Sequence, residues 1–204
     1  MASNEPTIFI VEDDAAVRDS LGVLLGLHGY RTQSFACAED FLEVYRPSAG
    51  CLVLDIRMPG MSGLELQAAL LQKPPALPII VMTAHGDVAT VRTAFKSGAI
   101  DFLEKPVDPD TLLAAVRTAL DTDAAQRHAV QKAEEVKQQL RILTLRERQV
   151  MELITKGCSN GEIASTLCIS PRTVEVHKAR VMEKLQVHSV AELVRIVLGT
   201  PSAT

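Results

Sequence analysis

The sequence predicts an α/β domain built on a doubly wound, five-stranded parallel sheet, followed by an all-α module of four helices. Three observations carry this prediction. Short β-branched or aliphatic runs recur roughly every 20 to 25 residues through the first 120 positions. Amphipathic segments of helical period separate those runs, and beyond residue 143 strand signals give way to repeated helix starts. At 204 residues and about 150 residues per domain, the chain has room for one middling domain and a small partner.

The apolar runs are Thr7 to Val11, Thr32 to Phe35, Cys51 to Leu54, Ile79 to Met82 and Ile100 to Leu103. Between them, Val17, Leu21, Leu24 and Leu25 fall at helical spacing, as do Val91, Ala94 and Phe95. Asp108 before Pro109 reads as an N-cap with Pro in the first turn. Strands alternating with helices require a parallel sheet covered on both faces through right-handed crossovers. In the last 60 residues, Thr144 with Glu147, Ser159 with Glu162 and Ser189 with Glu192 form S/T-x-x-E capping boxes, and Ser170 precedes Pro171 as a further N-cap. Gly157 and Gly199 sit where the first and last of these four helices should stop. A short helix from Asn160 to about Cys168, a tight turn through Ile169 and a longer helix from Pro171 give a helix-turn-helix outline.

The segment between the halves, rich in Ala, Gln, Glu and Lys without Gly or Pro, should be helical. Ala129, Ala133, Val136, Leu140 and Leu143 space as 4-3-4-3, a short seam too weak to pair by itself. The expected division is therefore 1–122, a linker over 123–142, and 143–204.

Composition narrows the function classes. With 47% hydrophobic and 23% charged residues, wholesale disorder and a disulfide miniprotein are excluded. Five Phe, two Tyr and no Trp leave few platforms on which single-stranded nucleic acid could stack. The longest early apolar run, Leu21 to Leu27, is too short to cross a bilayer, and MASNEPT carries no basic leader. A cytoplasmic protein without a membrane partner is expected. The four cysteines, Cys37, Cys51, Cys158 and Cys168, contain no CxxC pair and read as small core hydrophobes. Net charge is −4, but residues 1–124 hold 9 basic against 17 acidic side chains (−8) and residues 125–204 hold 12 against 8 (+4). An acidic front and a basic back suggest two domains with different partners, the second a polyanion; the alternative is two ordinary solvated faces, which charge alone does not reject.

In the predicted strand order 2-1-3-4-5, ligands sit beyond the carboxyl ends of strands 1 and 3. Strand 1 ends in Glu12, Asp13 and Asp14, strand 3 in Asp55 and strand 4 in Thr83, while Lys105 and Pro106 follow strand 5. Converging carboxylates repel one another unless a hard divalent cation such as Mg²⁺ neutralises them. Asp14 reads better as a helix N-cap than as a ligand, Lys105 taken alone as a solvated surface lysine, and His85 as a loop spacer. Neither GxGxxG nor GxxxxGK[ST] occurs.

Glu12, Asp13, Asp55, Thr83 and Lys105-Pro106, with Met58-Pro-Gly-Met-Ser-Gly63 after the central aspartate, together resemble the CheY-like receiver domain of two-component response regulators over about residues 5–122. The resemblance implies that Asp55 accepts a phosphoryl group from a sensor histidine kinase. It implies Mg²⁺ on Asp13, Asp55 and the Arg57 backbone carbonyl, with Glu12 acting through water. Thr83 would bond one phosphoryl oxygen, Lys105 would pair with another, and Phe102 would be the aromatic that turns inward. Arg57 and His85 would flank the route of water to the phosphoryl group. No turnover enzyme is expected: a haloacid-dehalogenase-like phosphatase needs a second acid two residues after its nucleophile, where this chain has Arg57. A flavodoxin-like cofactor domain lacks its phosphate loop and aromatics here.

In the helix from Pro171 to Leu185, Val174, His177, Val181 and Leu185 form a buried stripe, His177 as a packed residue rather than a base reader. The other side carries Arg172, Thr173, Glu175, Val176, Ala179 and Arg180, with Lys178 at the flank, a composition suited to a major groove. Leu143 to Gly199 resembles the DNA-binding domain of the LuxR/NarL/FixJ superfamily, nearest its FixJ branch. That likeness implies a phosphorylation-activated transcriptional regulator that dimerises, binds double-stranded promoter DNA and meets RNA polymerase. A protein-interaction switch without DNA binding is the alternative. Two departures stand out: Gly161 occupies a position commonly basic, and Cys168 one commonly glycine.

Overall fold

The computed structural model describes residues 5–71, 76–84 and 88–198, with backbone alone at 88–90 and 198. The chain divides into two compact units, Met1–His128 and Ala129–Thr204.

In the first unit the elements run β1 (Thr7–Val11), α1 (Ala15–Leu27), β2 (Arg31–Phe35), α2 (Ala38–Val44), β3 (Gly50–Asp55), α3 (Gly63–Leu70), β4 (Ile79–Thr83), α4 (Val88–Lys96), β5 (Asp101–Glu104) and α5 (Pro109–Leu140). The strands are parallel in the order β2-β1-β3-β4-β5, as the alternation of elements predicts. The strand period of two divides the core cleanly. Phe9, Val11, Leu52, Leu54, Ile79 and Val81 pack on one face, and Ile8, Ile10, Cys51, Val53, Ile80 and Met82 on the other with α5. Because both faces are covered, the central strands read as unbroken apolar runs rather than alternating ones.

Helix starts follow their capping chemistry. The Asp14 carboxylate accepts the Ala16 and Val17 N–H groups at 2.8 and 3.2 Å, so it caps α1 as expected. Asp108 accepts the Thr111 N–H at 2.9 Å at the head of α5. Spacing puts Val91, Ala94 and Phe95 on one face of α4, but only Ala94 is buried and Phe95 is 48% exposed. The short helix covers the sheet with its smallest apolar residue and leaves the ring in solvent.

Helix α5 is continuous for 32 residues. The hydrogen bonds of the first unit extend along it to Arg127. The buried Asp123 carboxylate accepts the Gly50 N–H at 3.0 Å and the Arg127 Nε–H at 2.8 Å, and Arg127 also donates to the Ser48 carbonyl. Further on, Ala129 and Ala133 are exposed, whereas Leu143 is buried and Leu140 packs against the core of the second unit. The 4-3-4-3 stripe is thus spent at its far end on intramolecular packing.

The second unit contains α6 (Leu145–Thr155), α7 (Asn160–Leu167), α8 (Pro171–Lys184) and α9 (Val190–Leu198), packed around Val150, Ile163, Val174, Val181 and Leu193. Reciprocal capping boxes start α6 and α7. At α9 the box is shifted: Ser189 Oγ accepts the Glu192 N–H at 3.1 Å, but the Glu192 carboxylate accepts from the His188 N–H at 2.8 Å. Gly157, at φ 82°, ends α6, while Gly199 lies outside the described residues.

Cys168 adopts φ 54°, ψ 46° as the C-cap of α7, the left-handed region that glycine enters without a Cβ penalty. Replacing Cys168 with Gly should stabilise the helical unit by about 1 kcal/mol. A urea midpoint for its unfolding that fell or stayed fixed would contradict this.

Candidate functional site: an acidic pocket and a basic helix face

Register brings the carboxylates together. β1 and β3 are neighbours with Val11 opposite Leu54, so Glu12, Asp13 and Asp55 leave adjacent strands at the same edge. Glu12 is fully buried and Asp55 is 5% exposed, while Asp13 is open to solvent. One oxygen from each carboxylate lies within 4.8 Å of the others. Lys105 reaches in from beyond β5, its Nζ donating to Glu12 Oε2 and Asp55 Oδ2 at 2.7 Å each. Burial is the strongest influence on Glu12 and holds its pKa above the ordinary value despite that ammonium. Burial pulls the other way on Lys105, but its bonds to Asp55 and Glu12 prevail and its pKa is raised.

Thr83 is buried at the last ladder position of β4, and its carbonyl accepts the Lys105 N–H at 2.8 Å. Phe102, half-buried, pairs in register with Val81 and packs against the core face that holds Val11 and Leu54. Arg57 is exposed and touches the group through its backbone N–H, which donates to Asp55 Oδ1 at 3.2 Å. His85 lies outside the described residues. The structure therefore gathers Glu12, Asp13, Asp55 and Lys105 directly, with Thr83 joined through backbone.

Three supports escaped the reading of single residues. Arg18 Nη1 donates to the Glu12 and Asp13 carbonyls at 2.7 and 3.2 Å, fixing the loop that carries both acids. Glu39 accepts the Met61 N–H at 2.8 Å, tying the loop after Asp55 to α2. Gly63 donates its N–H to the Ile56 carbonyl at 3.0 Å, and a Cβ there would lie 2.2 Å from the Asp55 carbonyl oxygen. Only glycine lets α3 begin against the backbone of the strand end. Residue spacing signals none of the three: Arg18 stands six and five positions from the carbonyls it holds, outside the helical i, i+4 pattern, and the others are set by tertiary approach.

The donor set is three carboxylates against one ammonium, all hard oxygen ligands at close quarters, which fits a small divalent cation. Glu12, Asp13 and Asp55 would hold it.

The second cluster is on α8. Val174 and Val181 are buried in the core with Leu185, and His177 is half-buried with a buried Nδ1 lacking a hydrogen-bond partner among the described residues. Arg172, Glu175, Val176, Ala179 and Arg180 are exposed, Val176 by 45%. Thr173 and Lys178 are half-buried. The Thr173 hydroxyl shares a 2.8 Å hydrogen bond with Ser170 Oγ, so this residue takes part in the helix cap. Beneath the far end, Lys184 Nζ donates to the buried Glu147 carboxylate at 2.7 Å. That ammonium and the Thr144 N–H hold the Glu147 pKa down at about 2. The short exposed side chains on one face of a capped, braced helix give it access to a polyanion.

A lysine-bridged acidic pocket at the switch point of a parallel sheet, in one chain with a helix-turn-helix module, defines a response regulator with a transcriptional output domain. Residues 8–117 match the response regulator receiver domain family, and residues 141–197 match the luxR family of bacterial regulatory proteins. The chain is 44% identical over 194 residues to the transcriptional regulatory protein FixJ of Bradyrhizobium diazoefficiens, covering 94% of each. It is 41% identical to the response regulator protein TmoT of Ectopseudomonas mendocina, covering 96% of this chain and 90% of the relative. Among solved structures, response regulator StyR matches with a TM-score of 0.82 at 44% identity, over 96% of this chain and 100% of that one. Full-length FixJ from B. japonicum matches at 0.59 and 42% identity, over 95% and 96%. This chain belongs to the response regulator family, in the group that joins a receiver domain to a luxR-type DNA-binding domain. No helix among the described residues is long and apolar enough to cross a membrane.

Proposed function

We propose that Asp55 takes a phosphoryl group from a sensor histidine kinase, and that the phosphorylated chain pairs with a second copy and binds promoter DNA through α8. The single observation that carries this reading is the double hydrogen bond of Lys105 to Glu12 and Asp55. It leaves a nearly buried carboxylate at the carboxyl end of the central strand, with a cation already at its side. A divalent ion bound to Glu12, Asp13 and Asp55, Mg²⁺ by its preference for oxygen ligands, supplies further charge neutralisation.

Within that pocket an Asp55 carboxylate oxygen is the nucleophile toward phosphorus: its O–P bond forms as the N–P bond to the kinase's phosphohistidine breaks, and the imidazole leaves with the electron pair and takes up a proton. Lys105 exchanges a carboxylate oxygen for a phosphoryl oxygen, and the Thr83 hydroxyl follows the new group. Phe102, two register positions from Thr83, transmits the change to the face made by α4, β5 and the start of α5, where Phe95 is already exposed. That face is the homodimer surface of this reading, and RNA polymerase is the downstream partner. The receiver acts as a phosphoacceptor and not as a turnover enzyme.

The test is a gel shift of the full chain on DNA from its own upstream region, with and without a small phosphodonor, beside Asp55→Asn. Phosphodonor-dependent retardation lost in Asp55→Asn is expected. Retardation absent in every lane at low salt would favour an output domain that binds protein.

The helix face makes a finer prediction. A dimer neutralising roughly six to ten phosphates loses affinity with a log-log salt slope near −0.9 per phosphate. Arg172→Ala should make that slope shallower on every duplex, whereas Val176→Ala should change sequence preference, because an apolar side chain gains only from base edges. Equal loss on specific and random duplexes by Val176→Ala would remove α8 from the groove.

A further inference from the structure

The acidic pocket is at the carboxyl ends of the strands, and a separate cavity of the first unit opens between β2, α2 and the amino ends of β1 and β3. It has a volume of about 520 Å³ and is bounded by Thr7 and Phe9 of β1, by Arg31, Gln33 and Phe35 along the length of β2, by the end of α2 and by Arg127. At roughly 3.3 Å per strand residue, the start of β1 at one end of this cavity lies on the order of 15 Å from the acidic pocket, while Phe35 at the other end pairs with Val11.

Two features give the groove a chemical character. The first is charge. Residues 1–124 carry a balance of −8, yet Arg31, Arg46 and Arg127 line this groove against Glu5 as its one acidic lining residue. Asp123, beneath, balances Arg127. Two of the guanidiniums are held in place by the last turn of α2 and the loop that follows it. Arg46 Nη1 donates to the Glu43 and Tyr45 carbonyls at 3.0 and 2.9 Å, and Arg127 uses Nε on Asp123 and Nη2 on the Ser48 carbonyl. Each guanidinium has five N–H donors. Nε and Nη2 of Arg46, and Nη1 of Arg127, have no protein acceptor among the described residues. Oriented, partly uncommitted forks are the usual recognition element for carboxylate and phosphate groups.

The second feature is the floor. The whole chain has seven aromatic residues, and four of them form one cluster in this corner. Phe9 meets Phe41 and Tyr45 edge-on with centroids 5.5 Å apart, Phe35 meets Phe41 at 5.3 Å, and Phe41 stacks on Tyr45 at 4.9 Å. Phe9, Phe35 and Tyr45 also line the cavity. An apolar floor with convergent polar groups, within the range of about 300 to 1,000 Å³, is the build of a small-ligand site.

We propose that this groove binds a small organic anion. Its carboxylate or phosphate-type group is received by Arg46 and Arg127, and its apolar body rests against Phe35 and Tyr45. The site is separate from the phosphoacceptor pocket and stands whether or not Asp55 is phosphorylated.

The experiment uses phenylphosphonate, which has the anionic group and an apolar body but no transferable phosphoryl group. It is titrated into the ¹⁵N-labelled full chain, with inorganic phosphate and benzyl alcohol as controls. Saturable amide shifts at Gln33, Tyr45 and Ser48 are expected at millimolar concentrations or below, each control binding at least about tenfold more weakly. Arg46→Met should weaken phenylphosphonate about tenfold and leave phosphorylation of Asp55 unchanged, with Arg46→Lys falling between. No saturation by about 10 mM, shifts confined to Asp13 and Asp55, or equal affinity in Arg46→Met would each overturn the site.

Discussion

One phosphoryl group per chain is expected when the full protein is exposed to a small phosphodonor with Mg²⁺, and none on Asp55→Asn, as read by intact mass. The pocket offers three carboxylates, but their surroundings differ. Glu12 is fully buried with its pKa raised by burial, and its Oε2 is bonded to Lys105. Asp13 is exposed and makes no ion pair with Lys105 among the described residues. Both Glu12 and Asp55 take a backbone N–H on one oxygen, from Asp14 at 3.4 Å and from Arg57 at 3.2 Å, and the Lys105 ammonium on the other, but Glu12 is wholly withdrawn from solvent whereas Asp55 keeps 5% exposure. That leaves the Asp55 carboxylate polarised from both sides and still within reach of a donor. Asparagine keeps the shape and can still accept the Arg57 N–H through Oδ1, so the substitution removes the nucleophile without emptying the site. A full-stoichiometry adduct on Asp55→Asn would place the acceptor elsewhere and end this mechanism.

Gly63→Ala should cost about 3 kcal/mol of stability in the first unit and slow phosphorylation of whatever remains folded. The added carbon would meet the Asp55 carbonyl oxygen at 2.2 Å, Ile56 Cα at 2.9 Å and the Asp55 carbonyl carbon at 3.0 Å. All three are backbone atoms. They can give way only if α3 lifts off or the end of β3 moves, and the second movement carries the Asp55 side chain with it. Gly26→Ala is the matched control, since no heavy atom lies within 4 Å of its added carbon and it sits inside α1. There alanine should be neutral or stabilising by up to about 1 kcal/mol. Equal urea midpoints for the two variants would show that the close approach at Gly63 is not maintained in solution.

How much of this was legible in the sequence depends on distance along the chain. Strand runs, N-caps and the helix-turn-helix outline are local signals, and the structure follows them to within a residue or so at most boundaries. The β1 to β3 adjacency that joins Glu12 to Asp55 followed from topology rules applied to those runs. What escaped is non-local or conformational. Nothing in the local pattern around Gly50 or Gly63 shows that a neighbouring backbone lies against it. The Phe95 ring obeys helical spacing and is still exposed, because a nine-residue helix covers little of the sheet. Lys184 reads as a surface lysine until α6 brings Glu147 beneath it. Cys168 stands at a position that the family resemblance marks as commonly glycine, which anticipates its positive φ, whereas that at Gln186, φ 54°, carries no residue-type signal at all.

The bond between Asp123 and Gly50 also limits how this protein can be recombined. Receiver and output modules lend themselves to exchange between relatives, and a natural place to splice is where the sheet and its last packed turn end, near residue 120. A splice there discards the only acceptor that the buried Gly50 N–H finds among the described residues, and discards Arg127 with it. The hybrid would begin life with an orphaned donor inside its sheet. A splice placed after Arg127 keeps donor, acceptor and counter-charge in one parent. Viable chimaeras of this architecture should therefore have their joints one to two helical turns beyond the last packed residue of the core.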